Sequence, residues 1–283
     1  MTASIAPTVR APKPHLAADY KSDIKPIWCP GCGDYSVLTS LTMALAELTL
    51  PPEQVAVVSG IGCSSRIPAY VNTYGFHGLH GRALPVATGL KLSRPDLTVV
   101  VASGDGDGFS IGGNHFLHAC RRNVDLTYLV MDNRVYGMTK GQPSPTTEPE
   151  WDSDLAPGGT GLRPFNPLVI ALAAGANLVA RCFSGDPAGT ARIIAEAIRS
   201  KGFSFVEILS PCVTFRPDER DWRKMVRPAP VTETNDAARA ARRLMTDDGF
   251  NLGILYRGER RPYQPRLVPA DGAAIALERE FAI

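Results

Sequence analysis

The sequence has no excess of charge of either sign: 30 Lys and Arg stand against 28 Asp and Glu, a formal net charge of +2. Nucleic-acid binding calls for a basic excess gathered on one face, so no nucleic-acid partner is expected. No uninterrupted apolar run approaches the roughly 18 residues that a membrane helix needs, and the N-terminus lacks the apolar core of a signal peptide. The expectation is a cytoplasmic protein with no membrane contact. Cysteine is scarce. Six in 283 residues do not suggest a disulfide framework, because cytosolic thiols stay reduced and a chain this long buries an adequate core without staples. Their positions (29, 32, 63, 120, 182 and 212) need another explanation.

What is present is an alternation of short Val-rich runs with helical patterns. Residues 1–27 mix Ala, Pro, Lys and Asp without periodicity, which suggests an extended arm that wraps a neighbour or is partly disordered. From Asp34, which can cap the first turn, Val37, Leu38, Leu41, Leu45 and Leu48 fall at helical spacing, and Pro51 and Pro52 end the pattern. Val55–Val58, Thr98–Ala102 and Leu126–Met131 are continuously apolar and β-branched, as strands buried on both faces of a parallel sheet should be. Helices are predicted over Ala83–Leu92, Asn114–Arg122, Asn166–Ala174 and Asp186–Ser200, and further strands over Leu178–Arg181 and Phe203–Leu209. This is an α/β, doubly wound, mainly parallel pattern. Residues 28–215 form the domain, and 216–283, charge-rich at first with a helix over Asp236–Met245 and a strand over Asn251–Arg257, form an extension packed on the domain or on a partner.

Ligands of such sheets bind at the carboxyl ends of strands, and here those ends carry the informative residues. Gly104-Asp105-Gly106-Asp107-Gly108 follows one strand directly. Glycines let backbone amides approach a phosphate, and a bridging Mg²⁺ reconciles that anion with the Asp105 carboxylate. A plain tight turn is the alternative for this loop taken alone. Asn133 lies 28 positions later at the end of the next predicted strand, so its amide oxygen comes beside Asp105. The pair resembles the thiamine diphosphate fingerprint. By position, that resemblance makes Asp105, the Asn133 side chain and the Val135 carbonyl the Mg²⁺ ligands; Asp107 is the competing carboxylate, with a helix-terminal charge as its simpler role.

Trp28-Cys29-Pro30-Gly31-Cys32-Gly33 precedes a helix, Cys63 sits in Gly62-Cys63-Ser64-Ser65 at a strand end, and Cys212 sits in Ser210-Pro211-Cys212 at another. A thioredoxin-like pair is one reading of Cys29 and Cys32. Four thiolates at turns on one side of the sheet suit zinc or an iron-sulfur cluster, and spacing does not choose between them. Thiamine diphosphate nearby favours a one-electron acceptor. Cys120 and Cys182 fall among apolar neighbours as inert buried thiols.

These motifs, with His80-Gly-Arg-Ala83, Ile111-Gly-Gly-Asn-His115 and Tyr136-Gly-Met-Thr-Lys-Gly-Gln142, together resemble the β subunit of 2-oxoacid:ferredoxin oxidoreductases over nearly the whole chain. The resemblance implies one [4Fe-4S] cluster on Cys29, Cys32, Cys63 and Cys212, with thiamine diphosphate and Mg²⁺ close by. It implies decarboxylation of a 2-oxoacid, transfer of the acyl group to coenzyme A and passage of electrons to ferredoxin. It also implies an α subunit that supplies the activating glutamate and most substrate contacts, in an αβ heterodimer that dimerises further. The chain alone should be inactive.

Lys140 follows the proposed metal loop closely enough to reach the far end of a bound substrate, where 2-oxoglutarate carries a second carboxylate and pyruvate does not. Family members accepting 2-oxoglutarate resemble the sequence here, so 2-oxoglutarate is the expected substrate; pyruvate or a broad range is the alternative, and a solvated surface lysine the simpler role. Gly62, Ser64, Ser65, His80, Gly104, Gly106 and Gly137 are further cofactor-binding candidates, with Arg66, His77 and Arg82 behind them. Two rival functions are a thiamine-dependent decarboxylase or synthase with a structural zinc, and a non-enzymatic electron-transfer or assembly module that holds the cluster alone.

Overall fold

A computed structural model describes residues 14–230 and 233–264. Strands β1 (Val55–Ser59), β2 (Tyr74–His77), β3 (Thr98–Gly104) and β4 (Leu126–Asp132) are followed by a two-residue hairpin of β5 (Val135–Tyr136) and β6 (Gln142–Pro143). Then come β7 (Leu178–Phe183), β8 (Phe203–Leu209), β9 (Arg227–Pro228) and β10 (Asn251–Arg257). Eight of these make one sheet in the order β2-β1-β3-β4-β8-β7-β10-β9. All pairings are parallel except that of β10 with β7. The C-terminal segment thus adds strands to the same sheet through β10.

The helices are α1 (Asp34–Glu47), α2 (Ile67–Tyr70), α3 (Ala83–Ser93), α4 (Asp105–Phe109), α5 (Gly113–Arg122), α6 (Pro167–Ala173), α7 (Pro187–Arg199), α8 (Trp222–Met225) and α9 (Ala237–Met245). The pleat sends successive side chains to opposite faces, so the apolar strands feed two cores at once. Val58, Val101, Val130 and Phe205 pack on one face with α3, α5 and α6; Val57, Ala102, Leu129 and Ile208 pack on the other with α1 and α7. Fully burying one such side chain contributes about 1.5–3 kcal/mol, which is why continuous rather than alternating apolar runs mark these strands.

Two local expectations change. Asp34 does not cap α1: Gly33 holds the cap position, and the buried Asp34 carboxylate accepts instead from the Ser210 hydroxyl at 2.9 Å. The described part of the N-terminal segment packs on this chain itself, with Tyr20 fully buried and its hydroxyl donating to the Leu45 carbonyl at 3.1 Å; residues 1–13, and 265–283 of the C-terminal extension, lie outside the description.

Candidate cofactor site

Strands β1, β3, β4 and β8 are consecutive neighbours in the sheet, and their carboxyl ends carry Cys63, Asp105, Asn133 and Cys212. The β3–β4 register pairs Gly104 with Met131 and the β4–β8 register pairs Asp132 with Leu209, so these turns leave the sheet side by side. Above them lies a cleft of about 220 Å³, lined by Asp34, Gly62, Ser64, His80, Asp105 and Asn133 among others. A larger recess of about 550 Å³ between α7, β9 and β10 contains none of the predicted site residues.

The glycines of the cleft have specific reasons. Gly62 adopts φ +118 with open space where a side chain would start, and a Cβ on Gly106 would run into the Tyr136 ring. The Tyr136 hydroxyl donates to the Gly106 carbonyl at 3.1 Å and so fastens the hairpin to the start of α4.

Asp105 is buried and accepts from the Thr146 hydroxyl at 2.9 Å; Thr146 also lies 2.8 Å from the buried Asp132 carboxyl. One hydroxyl has one proton to give, so these contacts are both satisfied only when one carboxyl carries a proton. Burial pushes the Asp105 pKa up against the opposing hydroxyls of Ser144 and Thr146. Burial, followed by the neighbouring Asp105 and Glu207 carboxylates, pushes Asp132 well above the usual carboxylate range. Two buried carboxyls that share one hydroxyl are oxygen donors of the kind Mg²⁺ takes, and a divalent cation would favour the ionised form that burial opposes. Asn133 Oδ1 accepts from the Val135 amide at 3.2 Å and keeps its second lone pair. Val135 is buried beneath the cleft.

Asp107 is occupied differently. Its Oδ1 accepts from the Ile61 amide at 3.1 Å, the Gly81 amide at 2.7 Å and His80 Nδ1 at 2.7 Å, while Ser103 Oγ donates to Oδ2. With its acceptor sites filled by protein donors, Asp107 is a structural hub, not a metal ligand. It also sets the His80 tautomer, proton on Nδ1, leaving Nε2 as the ring's other nitrogen at the cleft wall.

Three of the four candidate cluster thiols are half-buried, and Cys29 is exposed. Cys63 lies within electrostatic reach of Cys29 and Cys212, and Cys32 within reach of Cys63 and Cys212. Burial is the main cause pushing all three half-buried thiols up, Cys63 to about 11. Such thiols ionise only against added positive charge, which a bound cluster supplies. Among the described residues no group of three or more His, Cys, Asp or Glu side chains is arranged to hold a single ion. Four thiolates are the donor set of a [4Fe-4S] cluster and equally of a tetrahedral zinc site. Trp28 Nε1 donates to the Cys63 carbonyl at 2.7 Å, and Glu219 Oε2 accepts from the Cys212 amide at 2.9 Å. Burial pushes Glu219 up to about 9. Cys120 and Cys182 are buried in the apolar cores, the latter pushed by burial to about 12.

Ser64 lines the cleft, whereas Ser65 does not; it is buried, with its hydroxyl unpartnered, along a neighbouring recess. Gly137 borders both regions: a Cβ there would stand 3.6 Å from Cys212 Sγ. Lys140 stands exposed outside the cleft lining, in the turn between β5 and β6 at φ +80, and among the described residues it makes no ion pair. Asp34, Tyr136 and Thr146 were not anticipated from sequence; Thr146 lies in an irregular segment 41 residues from its partner Asp105, with no pattern to announce it.

Residues 60–208 match the thiamine pyrophosphate enzyme C-terminal TPP-binding domain. The chain is 47% identical over 209 residues to 2-oxoglutarate oxidoreductase subunit KorB of Mycobacterium tuberculosis, a match spanning 74% of this chain and 56% of that protein. It is 40% identical over 266 residues to 2-oxoacid:ferredoxin oxidoreductase 2, subunit beta, of Aeropyrum pernix, covering 88% and 86% of the two chains. A solved 2-oxoglutarate:ferredoxin oxidoreductase from Magnetococcus marinus, with 2-oxoglutarate, coenzyme A and succinyl-CoA bound, superposes with a TM-score of 0.88 at 41% identity, covering 94% of this chain and 96% of that one.

Proposed function

This chain belongs to the β-subunit family of the 2-oxoacid:ferredoxin oxidoreductases, and from that premise we propose that it serves, with an α subunit, in the coenzyme A-dependent oxidative decarboxylation of 2-oxoglutarate to succinyl-CoA and CO₂, or the reverse, with ferredoxin as electron partner. The observation that carries the proposal is the convergence of Cys63, Asp105, Asn133 and Cys212 on four neighbouring strand ends. When bound, thiamine diphosphate supplies a nucleophilic carbon for decarboxylation and a [4Fe-4S] cluster takes up electrons singly. Asp105, the Asn133 side chain and the Val135 carbonyl hold Mg²⁺ on the diphosphate, in the cleft walled by Gly62, Ser64, His80, Gly104, Gly106 and Gly137. Cys29, Cys32, Cys63 and Cys212 hold the cluster beside it. The Asp107 hub keeps the glycine turns in place before any ligand arrives.

Lys140 pairs with the distal carboxylate of 2-oxoglutarate once the α subunit closes the cleft. Its strained φ of +80 supports a functional role, since a non-glycine residue holds that conformation at some cost. The complex works in the cytoplasm, the αβ unit pairs with a second copy, and the α subunit brings the glutamate that activates the cofactor.

Anaerobic co-expression with the α subunit, iron and sulfide assay, and turnover on a panel of 2-oxoacids test this. Iron near four atoms per β chain and preference for 2-oxoglutarate are expected; a colourless, zinc-containing complex would end the oxidoreductase reading. Lys140→Ala is expected to cut 2-oxoglutarate turnover selectively, and equal loss on pyruvate would remove its assigned role.

A further inference from the structure

The turn after β4 and the turn after β8 are joined directly, by Arg216 Nη1 donating to the Arg134 carbonyl at 3.4 Å, and through Glu148, a carboxylate that the proposed function leaves unassigned. Glu148 forms an ion pair with Arg134 through Oε1 and accepts from Arg216 Nη2 at 3.0 Å through Oε2. Arg134 directly follows Asn133, and its amide donates to Asp132 Oδ1 at 3.0 Å. Arg216 is buried, and its amide donates to the Cys212 carbonyl at 2.9 Å. Each carboxylate oxygen of Glu148 therefore holds a different cofactor turn.

Both arginines are fixed from the other side as well. The Arg134 guanidinium lies 4.8 Å from the Trp222 ring centroid and 5.5 Å from that of Phe250; that of Arg216 lies 4.7 Å from the Trp151 ring. Arg134 sits at φ +51, a left-handed conformation that costs a non-glycine residue of the order of 1 kcal/mol and persists where the surroundings over-determine it. Burial pushes the Glu148 carboxyl up, and the two guanidiniums more than offset this, so it stays ionised. Planar, charge-assisted contacts of this kind fix the two turns relative to one another.

We propose that Glu148 is a positioning residue that clamps the metal-binding turn to the cysteine-bearing turn, so that occupancy of the diphosphate site and the redox state of the cluster influence one another. The inference rests on the function proposed above. Coupling of this kind is reciprocal: if the ligand alters the cluster's potential, the cluster's state alters the ligand's affinity by the same factor.

The test measures thiamine diphosphate affinity, with Mg²⁺, in the anaerobic αβ complex with the cluster oxidised and then reduced by dithionite. In the unaltered complex the two affinities are expected to differ by about fivefold. Glu148→Gln brings them together, because one oxygen becomes an amide that repels a guanidinium. Asp218→Asn is the control: Asp218 touches Arg216 at 3.4 Å but not Arg134, so the difference should survive. Should Glu148→Gln not assemble, Arg134→Lys removes the stacked fork and is expected to abolish the difference equally. A difference that persists in these variants, that vanishes in Asp218→Asn as well, or that is absent from an iron-containing unaltered complex overturns the inference. An unaltered complex without iron instead sinks the function on which it rests.

Discussion

Asp105 and Asp107 stand two residues apart on α4, each at most 3% exposed, yet their surroundings are opposite. Asp107 is met by four protein donors, from two turns and the end of β3, and it is finished as soon as the chain folds. Asp105 shares the Thr146 hydroxyl with the buried Asp132 carboxyl, and burial outweighs its hydrogen bonds and pushes its pKa up. Equal burial therefore hides a difference in neighbours: Asp107 faces backbone amides, a hydroxyl and an imidazole, whereas Asp105 faces a second buried carboxyl across a shared hydroxyl.

The sharpest way to break this comparison is Asp105→Ala. Loss of a proposed metal ligand is expected to weaken Mg²⁺-dependent thiamine diphosphate binding by on the order of a thousandfold, about 4 kcal/mol, with little loss of chain stability. Calorimetric titration of the complex checks it, and unchanged affinity would break the assignment. Asp107→Asn should do the reverse. Its amide faces donors with a donor, which is expected to cost about 3 kcal/mol in denaturant unfolding; a variant as stable as the parent would remove the hub.

A pH effect follows in the metal-free chain. Burial raises Asp34 to about 6 and Glu219 to about 9 in the folded state. Between the ordinary carboxyl range and those values the folded chain holds protons that the unfolded chain has released, so stability falls as pH rises. A loss of about 3 kcal/mol between about pH 5 and pH 6.5 is expected, measured as urea midpoints, and Mg²⁺ with thiamine diphosphate should reduce it. The smallest effect is that of Thr146→Val, about 1–2 kcal/mol, because two carboxyls lose one shared hydroxyl.

The same contrast explains what was legible in the sequence. β1, β3, β4, β7 and β8 were visible because both faces of each are buried, which writes the strand as an unbroken apolar run. Strand β2 was not, since Tyr74–His77 is exposed throughout and sits at the sheet edge without any pattern. Helix α4 was hidden in Asp105–Phe109, where two glycines argue against helix. Asp105 and Asn133 could be found because strand-end position and residue type coincide. Asp34, Thr146, Glu148 and Glu219 could not, because their importance comes from partners far along the chain. Asp34 looked like a cap from its neighbours alone, whereas its real partner, Ser210, lies 176 residues away.

Of the four candidate cluster cysteines, Cys29 alone is exposed, while the Cys212 sulfur lies close to Gly137 of the cleft lining. On the proposed function, a cluster bound by these thiols would stand between the cleft and the surface, with Cys29 as its corner nearest solvent. The shortest way out for an electron would then lie over Cys29, and that is where an electron carrier is expected to dock.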